Sequence, residues 1–360
     1  MLPLCRLFCE LFSLKKIKKD VIIKVVCKKE VIGLTVTIKE VAEKAGVSVA
    51  TVSRVLNNNP AVSDKTAKIV RETIEELDYR PNFLGRNLRK CETNVILAIF
   101  PSSEYSAGLE IVKSMHETAS EYGYDIIMAT SYDNSKNEMR LLNMLFNRTV
   151  DGAVLMSTHL CADEINKISE EYDIALCGER VDGTNVLTVT VDDVKGAYDA
   201  VSELIKEGHT KIAMISTGNE ALSSLDREEG YKKALSDAGI EFDENYIFRG
   251  GYSFSDGENG YRYLFSLPEP PTAVFAVSDI FAMGVAKRAL RSEKGKMPKI
   301  IGYDNIPLCE SYSPTISSVS QPARDIGREI IKKLIENIKS ENKCREHIIM
   351  PHKIIRRESF

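Results

Sequence analysis

Thr37-Ile-Lys-Glu-Val-Ala-Glu-Lys-Ala-Gly-Val-Ser-Val-Ala-Thr-Val-Ser-Arg-Val-Leu-Asn57 reads as helix, tight turn, helix. Thr37 and Glu40 stand at the spacing of a capping box, which satisfies free backbone N–H groups at a helix start, so a helix begins at Ile38. Val41, Ala42 and Ala45 give it one apolar face, and Gly46 stops it as glycine does at helix C-termini. Ser48 can cap the next helix through its hydroxyl. Val52, Val55 and Leu56 face inward from that helix, which leaves Val49, Ala50, Thr51, Ser53, Arg54 and Asn57 outward or at its edges. A second helix with a polar, arginine-bearing outer face is able to enter the major groove of DNA. Asn57-Asn-Asn-Pro60 is a loop, Ser63 caps a third helix over Asp64–Leu77, and Asp78-Tyr-Arg-Pro81 ends it.

Outward from this stretch the pattern changes twice. Asn82–Lys90 is a short segment carrying Arg86, Arg89 and Lys90. From Asn94 apolar strand-like runs alternate with helical stretches. Val95–Phe100 precedes a helix near Gly108–Tyr122, Tyr124–Ala129 precedes Asn137–Phe146, and Gly152–Met156 precedes Ala162–Glu171. Ile174–Cys177 and Leu187–Val191 lead to Val194–Glu207, and Ile212–Ser216 to Asp226–Ala238. Ala273–Val277 precedes Ile280–Arg291, and Lys299–Tyr303 precedes Pro322–Glu341. Such alternation predicts parallel, doubly wound sheets with crossover helices. It is too long for one lobe, so two α/β lobes with a cleft between them are expected, with ligands at the carboxyl ends of the strands. The expected domains are an N-terminal extension over 1–34, an all-α helix-turn-helix headpiece over 35–81, a hinge segment over 82–93 and a two-lobed sensor over 94–360.

Charge is distributed as that division requires. The 360 residues are 43% hydrophobic and 28% charged, with net charge −4. Residues 1–34 carry eight basic and three acidic groups, residues 35–91 ten and seven, and the remainder stands at −12. A basic front on an acidic body suits a protein that touches phosphates at one end only. The eight cysteines (Cys5, Cys9, Cys27, Cys91, Cys161, Cys177, Cys309 and Cys344) form no C-x-x-C pair, which fits reduced thiols in a cytoplasmic protein. No stretch approaches the roughly 20 apolar residues of a membrane span. The first 34 residues have three readings: a translated stretch ahead of the true start, a basic disordered arm, or a degenerate signal.

At this point the chain resembles the lactose/galactose repressor (LacI/GalR) family of bacterial transcription regulators over about residues 35–360. The strongest match is Val41-Ala-x-x-Ala45-Gly46-Val47-Ser48-x-x-Thr51-Val52-Ser53-Arg54-Val55-Leu56-Asn57. Thr73–Asn82, Val150-Asp-Gly152, Gly208-His209-x-Lys-Ile-Ala213, Arg227-x-x-Gly-Tyr231 and Pro271-Thr-Ala-Val274 follow in order. Ser278-Asp279-Ile280-x-Ala282-Met-Gly284, Ile301-Gly-Tyr-Asp-Asn305 and Ser318-Val-x-Gln-Pro322 complete the series. The headpiece looks closest to the catabolite control proteins. The resemblance implies a periplasmic-binding-protein-like sensor and a homodimer on a palindromic double-stranded operator. In it Val49 and Ala50 choose among operators, Arg54 reads a guanine edge, and Thr37, Ser48, Thr51, Ser53 and Asn57 make phosphate and edge contacts. It also implies that Leu88 wedges into the minor groove and kinks the duplex, the alternative being a leucine that packs on the sensor. Gly85 stands where the family usually has alanine, which weakens a hinge helix off DNA.

For the effector the resemblance implies a sugar or sugar phosphate held by Arg227, Asp279 and Tyr252, with Ser102, Arg180 and Asp192 as further candidates. Asp279 could instead cap the helix starting at Ile280. Ala107 and Gly108 replace an aromatic pair common in relatives, and the chain has no tryptophan to stack on a sugar. Catabolite control proteins answer to a phosphorylated carrier protein, lack the arginine matching Arg227, and carry one before the proline matching Pro314. Here that second position is Ser313, and both departures favour a small molecule. No leucine heptad follows His352, which favours a dimer over a tetramer. Two other classes compete: a solute-binding protein would need an export leader and would not need Thr37–Asn57. An enzyme would need a phosphate loop, metal-ligand spacing or a nucleophile–base pair, and the sequence offers none, nor a cofactor fingerprint.

Overall fold

A computed structural model describes residues 36–56, 59–79, 92–101, 106–218, 221–292 and 297–360. The extension over 1–34 and most of the hinge segment over 82–93 lie outside the described residues. The chain divides between Arg89 and Lys90 into two compact units.

The first unit holds α1 (Ile38–Lys44), α2 (Val49–Leu56) and α3 (Asp64–Glu76). The capping box closes as read: the Thr37 amide donates to the Glu40 carboxylate at 2.6 Å, and the Glu40 amide donates to Thr37 Oγ1 at 3.4 Å. Gly46 takes φ +65°, a left-handed value only glycine adopts freely, and turns the chain into α2. Val41, Ala42, Val52, Val55, Val70 and Tyr79 form one small core. A Lys44–Glu76 ion pair of 2.7 Å ties the ends of α1 and α3 at the surface.

The second unit contains two six-stranded sheets. The first lobe comprises β1 (Val95–Phe100), β2 (Asp125–Thr130), β3 (Gly152–Leu155), β4 (Asp173–Cys177), β5 (Leu187–Val191) and β11 (His347–Met350). They run in the order β11-β5-β4-β3-β1-β2, every pairing parallel. Helices α4 (Ser106–Glu121), α5 (Ser135–Phe146), α6 (Ala162–Ser169) and α12 (Ala323–Lys339) belong to this lobe. Alternate residues of β1 feed two cores: Ile96, Ala98 and Phe100 join one, Leu97 and Ile99 the other. Burial on both faces is why the strand reads as an unbroken apolar run.

The second lobe repeats the plan with β6 (Ile212–Thr217), β7 (Ile247–Gly250), β8 (Ala273–Ala276), β9 (Lys299–Asp304), β10 (Ser317–Ser320) and β12 (Lys353–Ile355). Their order is β12-β10-β9-β8-β6-β7, with only β12 antiparallel to its neighbour among these pairings. Its helices are α7 (Asp193–Lys206), α8 (Leu222–Asp237), α9 (Phe254–Leu264), α10 (Asp279–Leu290) and the short α11 (Leu308–Ser311). The chain passes between lobes after β5, after β10 and after β11. In each sheet the strand order reverses beside the strand that opens the lobe, β1 or β6, and the crevice at such a switch point is where α/β sheets bind ligands.

Several elements depart from the sequence reading. Helix α8 begins at Leu222, four residues before the expected Asp226, because Ser223, Ser224 and a half-exposed Leu225 give its first turn no apolar period. Strand β7 and helix α9 were not expected; α9 carries Gly257 and Gly260, which depress helix propensity, and it holds by packing on α10. Strand β10 was read as a motif only, since Ser317 and Ser318 are polar yet fully buried. Removing the Thr37 cap should destabilise the headpiece by about 1 kcal/mol. A Thr37→Ala protein is expected to show a lower thermal midpoint for the headpiece with the sensor transition unmoved; equal midpoints would mean the cap contributes nothing.

Candidate nucleic-acid interface and effector cleft

On α2 the core takes Val52 and Val55, whose spacing fixes the opposite face as the outer one. Val49, Ala50 and Arg54 are exposed, and Thr51 and Ser53 are half-buried beside them. Ala50 and Arg54 are four residues apart and so share a face. Ser48 does cap the helix, accepting from the Thr51 amide at 3.1 Å, and its hydroxyl also bonds that of Thr51 at 2.9 Å. Thr37 is exposed at the start of α1. Among the described residues the Arg54 guanidinium has no ion-pair partner, so its five donors are open to a planar acceptor pair. Asn57 and Leu88 lie outside the described residues.

In the sensor, Arg227 occupies the second lobe's switch point. Its Nε donates to Asp193 Oδ1 at 2.8 Å and its Nη1 to the Val277 carbonyl just past β8 at 2.5 Å. Asp304 Oδ1 lies 3.6 Å from Nη2, and the guanidinium sits 3.7 Å from the centre of the Tyr303 ring. The geometry depends on Gly230 of the Arg-x-x-Gly-Tyr motif. A Cβ there would stand 2.1 Å from the Val194 carbonyl, so only glycine lets α8 close on the start of α7, where Asp193 sits. Tyr231 anchors the same helix by donating to the Ile212 carbonyl at 2.8 Å.

Asp304 is held in an unusual backbone, φ 103°, followed by Asn305 at φ 54°. Gln321, at the second crossing, donates to Asp304 Oδ1 at 2.7 Å. Burial pushes Asp304 up to about 7 and Asp279 up to about 6, against the pull of Arg227 on the first and of the Ser318 hydroxyl and Ile306 amide on the second. Burial likewise raises Asp193, with Arg227 opposing it.

The nominated residues that the structure describes fall into three groups. Arg227 and Tyr252 lie near the strand ends; the Tyr252 hydroxyl donates to Ser278 Oγ at 3.3 Å. Arg180, just beyond β4 in the first lobe, reaches across to α8 and forms a two-pronged pair with Asp226, and also contacts Asp182 at 3.0 Å. Asp192 and Asp279 are turned to the protein itself. Asp192 caps α7, accepting from the Lys195 amide at 2.8 Å, and the carboxylate against Arg227 belongs to its neighbour Asp193. Asp279 is fully buried and accepts from the Ile306 amide at 2.8 Å. It is not the cap considered in the sequence either: α10 starts at Asp279 and its cap is Ser278. Ser102 lies outside the described residues.

Sequence reasoning passed over Asp193, Asp226, Asp304, Gln321 and Glu179. Asp226 adjoins a quoted motif, Asp304 and Gln321 sit inside two others, and Asp193 stands next to the candidate Asp192, so four of the five lay within one residue of a sequence signal. Glu179 had no signal; it accepts from the Ser157 hydroxyl and, across the lobes, from the Ser223 amide at 3.2 Å. A cavity of about 370 Å³ opens beside this cluster, lined by Glu110, Asp304, Glu310, Gln321, Arg324 and Asp325 among others. None of the nominated residues that the structure describes lines it; Arg227 lies next to it behind Asp304. Among the described residues no group of three His, Cys, Asp or Glu could hold a metal ion, and no helix is long and apolar enough to cross a membrane.

Comparison with known proteins names this architecture. Residues 37–82 match the bacterial regulatory proteins of the lacI family, and residues 93–358 match the periplasmic binding proteins and sugar binding domain of LacI family. The chain belongs to the LacI family. It is 35% identical to catabolite control protein A of Priestia megaterium over 91% of this chain and 99% of that protein. It is 33% identical to the transcriptional repressor CytR of Escherichia coli strain K12, over 85% and 91%. Among solved structures, a transcriptional regulator CelR–cellobiose complex matches with TM-score 0.68 at 28% identity, over 90% of this chain and all of that one. The lac repressor dimer bound to operator and an anti-inducer shares the fold at TM-score 0.80 and 22% identity, over 90% and 98%. This LacI-family protein is thus a DNA-binding transcription regulator with a sugar-binding-type domain, and its relatives are regulators, not enzymes.

The buried acids give the regulator a pH signature. Asp304 and Asp279 keep a proton in the native state that an ordinary carboxyl (3.8) has lost, so stability falls as pH rises from about 4 toward 7. Each group contributes a slope of at most about 1.4 kcal/mol per pH unit. Urea unfolding between pH 4.5 and 7.5 should show this decline, and Asp304→Asn should shorten it by removing the upper part. An unchanged profile in that variant would mean Asp304 titrates normally.

Proposed function

We propose that this regulator is a repressor that binds a near-palindromic operator as a dimer and is controlled by a sugar-like small molecule in the interlobe cleft. The observation that carries the reading is the exposed face of α2, where Val49, Ala50 and an ion-pair-free Arg54 stand together on a helix whose other side is locked in a core. Val49 and Ala50 can touch a thymine methyl but donate no hydrogen bond, so Arg54 is the main polar reader, able to grip guanine O6 and N7. Thr37, Ser48, Thr51, Ser53 and Asn57 serve as positioning contacts, and Leu88 as the minor-groove wedge. Binding operator DNA requires a cytoplasmic location, where bacterial DNA lies.

For dimerisation the supporting feature is the edge strand β2. It exposes Ile127 (39%) and Met128 (54%) on its two faces, with Leu109 (57% exposed) on α4, the helix that packs beside it. An apolar sheet edge left open invites a second chain. In the cleft, Arg227 and Tyr252 at the second lobe's strand ends and Arg180 at the first lobe's are the effector-facing residues. Ligand would act by favouring one cleft geometry over another, which alters operator affinity through the hinge segments.

The likeness to catabolite control protein A favours a second reading, corepression by a phosphorylated carrier protein. Arg227 and Ser313 argue against it.

Arg54→Ala should weaken specific operator binding by 1–3 kcal/mol, roughly 5- to 150-fold, with the headpiece still folded. Gel-shift or fluorescence anisotropy against a palindromic operator library measures it; undiminished affinity would remove Arg54 from the interface. In the same assay Met128→Asp should give a monomer in analytical ultracentrifugation that binds the full operator far more weakly. A monomer that binds as tightly as wild type would refute the dimeric mode. A response to sugars lost in Arg227→Ala supports the small-molecule reading, and a response to a phosphorylated carrier protein alone would replace it.

A further inference from the structure

Among the described residues the arginines of the cleft are already engaged. Arg227 has Asp193 at 2.8 Å, the Val277 carbonyl at 2.5 Å and Asp304 at 3.6 Å, and its face is covered by Tyr303. Arg180 is held by both oxygens of Asp226 and by Asp182. Among the described residues the adjoining cavity carries Glu110, Asp304, Glu310 and Asp325 against a single cation, Arg324, which turns to Glu117 at 3.3 Å. Asp193, Asp226 and Asp304 are each under a tenth exposed, so solvent screens them weakly.

We propose that the cleft takes a non-anionic polyol and excludes phosphorylated sugars, with Asp193 and Asp304 as the residues that enforce the exclusion. The proposal rests on the reading of the cleft as the effector site and narrows it. Hydroxyls suit this surface because they both donate and accept: they can give to Asp304 and Gln321 Oε1 while receiving from Arg227. A phosphate group brings up to two negative charges among these carboxylates, and to bind Arg227 it would have to displace a carboxylate from it and leave that carboxylate buried without its partner. An ammonium-bearing polyol meets no such conflict.

The test uses the full chain and thermal unfolding at pH 8.5, above the raised value of Asp304, where its carboxylate is charged; inorganic phosphate, glucose 6-phosphate, glucose and glucosamine are titrated at constant ionic strength. The response counted is the part lost on Arg227→Gln, which sets aside anions bound on the basic headpiece. In the wild-type protein phosphate and glucose 6-phosphate should give no such response. The Asp193→Asn/Asp304→Asn protein, isosteric but freed of both carboxylates, should gain a rise in Tm with phosphate that disappears when Arg227→Gln is added. Asp304→Asn alone is the milder variant and should move the same way. An Arg227-dependent rise with either phosphate in the wild type would overturn the proposal, and so would its absence from both Asn variants when they are folded by circular dichroism. No DNA enters this titration. Failure here leaves the operator-binding and effector reading intact, whereas an operator response to ligand that ignores Arg227→Ala would fail that reading instead.

Discussion

A guanidinium cannot be neutralised at any pH a protein meets, so burying Arg227 obliges the fold to bring acceptors to it. Those acceptors come from separate elements: Asp193 from the first turn of α7, the Val277 carbonyl from the end of β8, Asp304 and the Tyr303 ring from the end of β9. Deleting one partner of such a buried group typically costs about 3–5 kcal/mol, because the other is left uncompensated. The strand ends that shape the second lobe's half of the cleft are therefore fixed against one another by a single side chain. The strained backbone at Asp304 and the bare Cα of Gly230 are what that arrangement requires of its surroundings.

The headpiece was legible almost residue by residue because its signals are local. A capping box, a left-handed glycine and a second serine cap each act within four residues, and the structure places them as read. The alternating lobes were legible as a class because parallel strands buried on both faces leave apolar runs that polar helices separate. Elements were lost where tertiary packing overrides the local pattern: α9 with its two glycines, β10 with its buried serines, and the first turn of α8.

The cleft was legible only in part, for a related reason. Residue type and motif position pointed to Arg227, but which neighbouring acid serves it depends on a helix boundary. Because α7 starts at Asp193, Asp192 becomes the cap and Asp193 turns inward. The same logic moves Asp279 one place along: with Ser278 as cap, its carboxylate points back to the Ile306 amide. A shift of one residue at a helix start exchanges a structural acid for a site acid, and boundaries are the least secure part of any sequence reading.

Helix α8 then has a role that its sequence does not advertise. Asp226 and Arg227 are adjacent, of opposite sign and both buried, yet they serve different lobes. Asp226 takes Arg180 from beyond β4, whereas Arg227 stays with α7, β8 and β9. The Ser223 amide adds a contact to Glu179 from the same helix. Consecutive residues on a helix point about 100° apart, so one rigid element holds both the cross-lobe pair and the strand-end network. A ligand that took hydrogen bonds from Arg227 would bear on the helix that also carries the lobe-to-lobe contact. It would shift the lobes only to the extent that it bound one arrangement of that helix more tightly than the other.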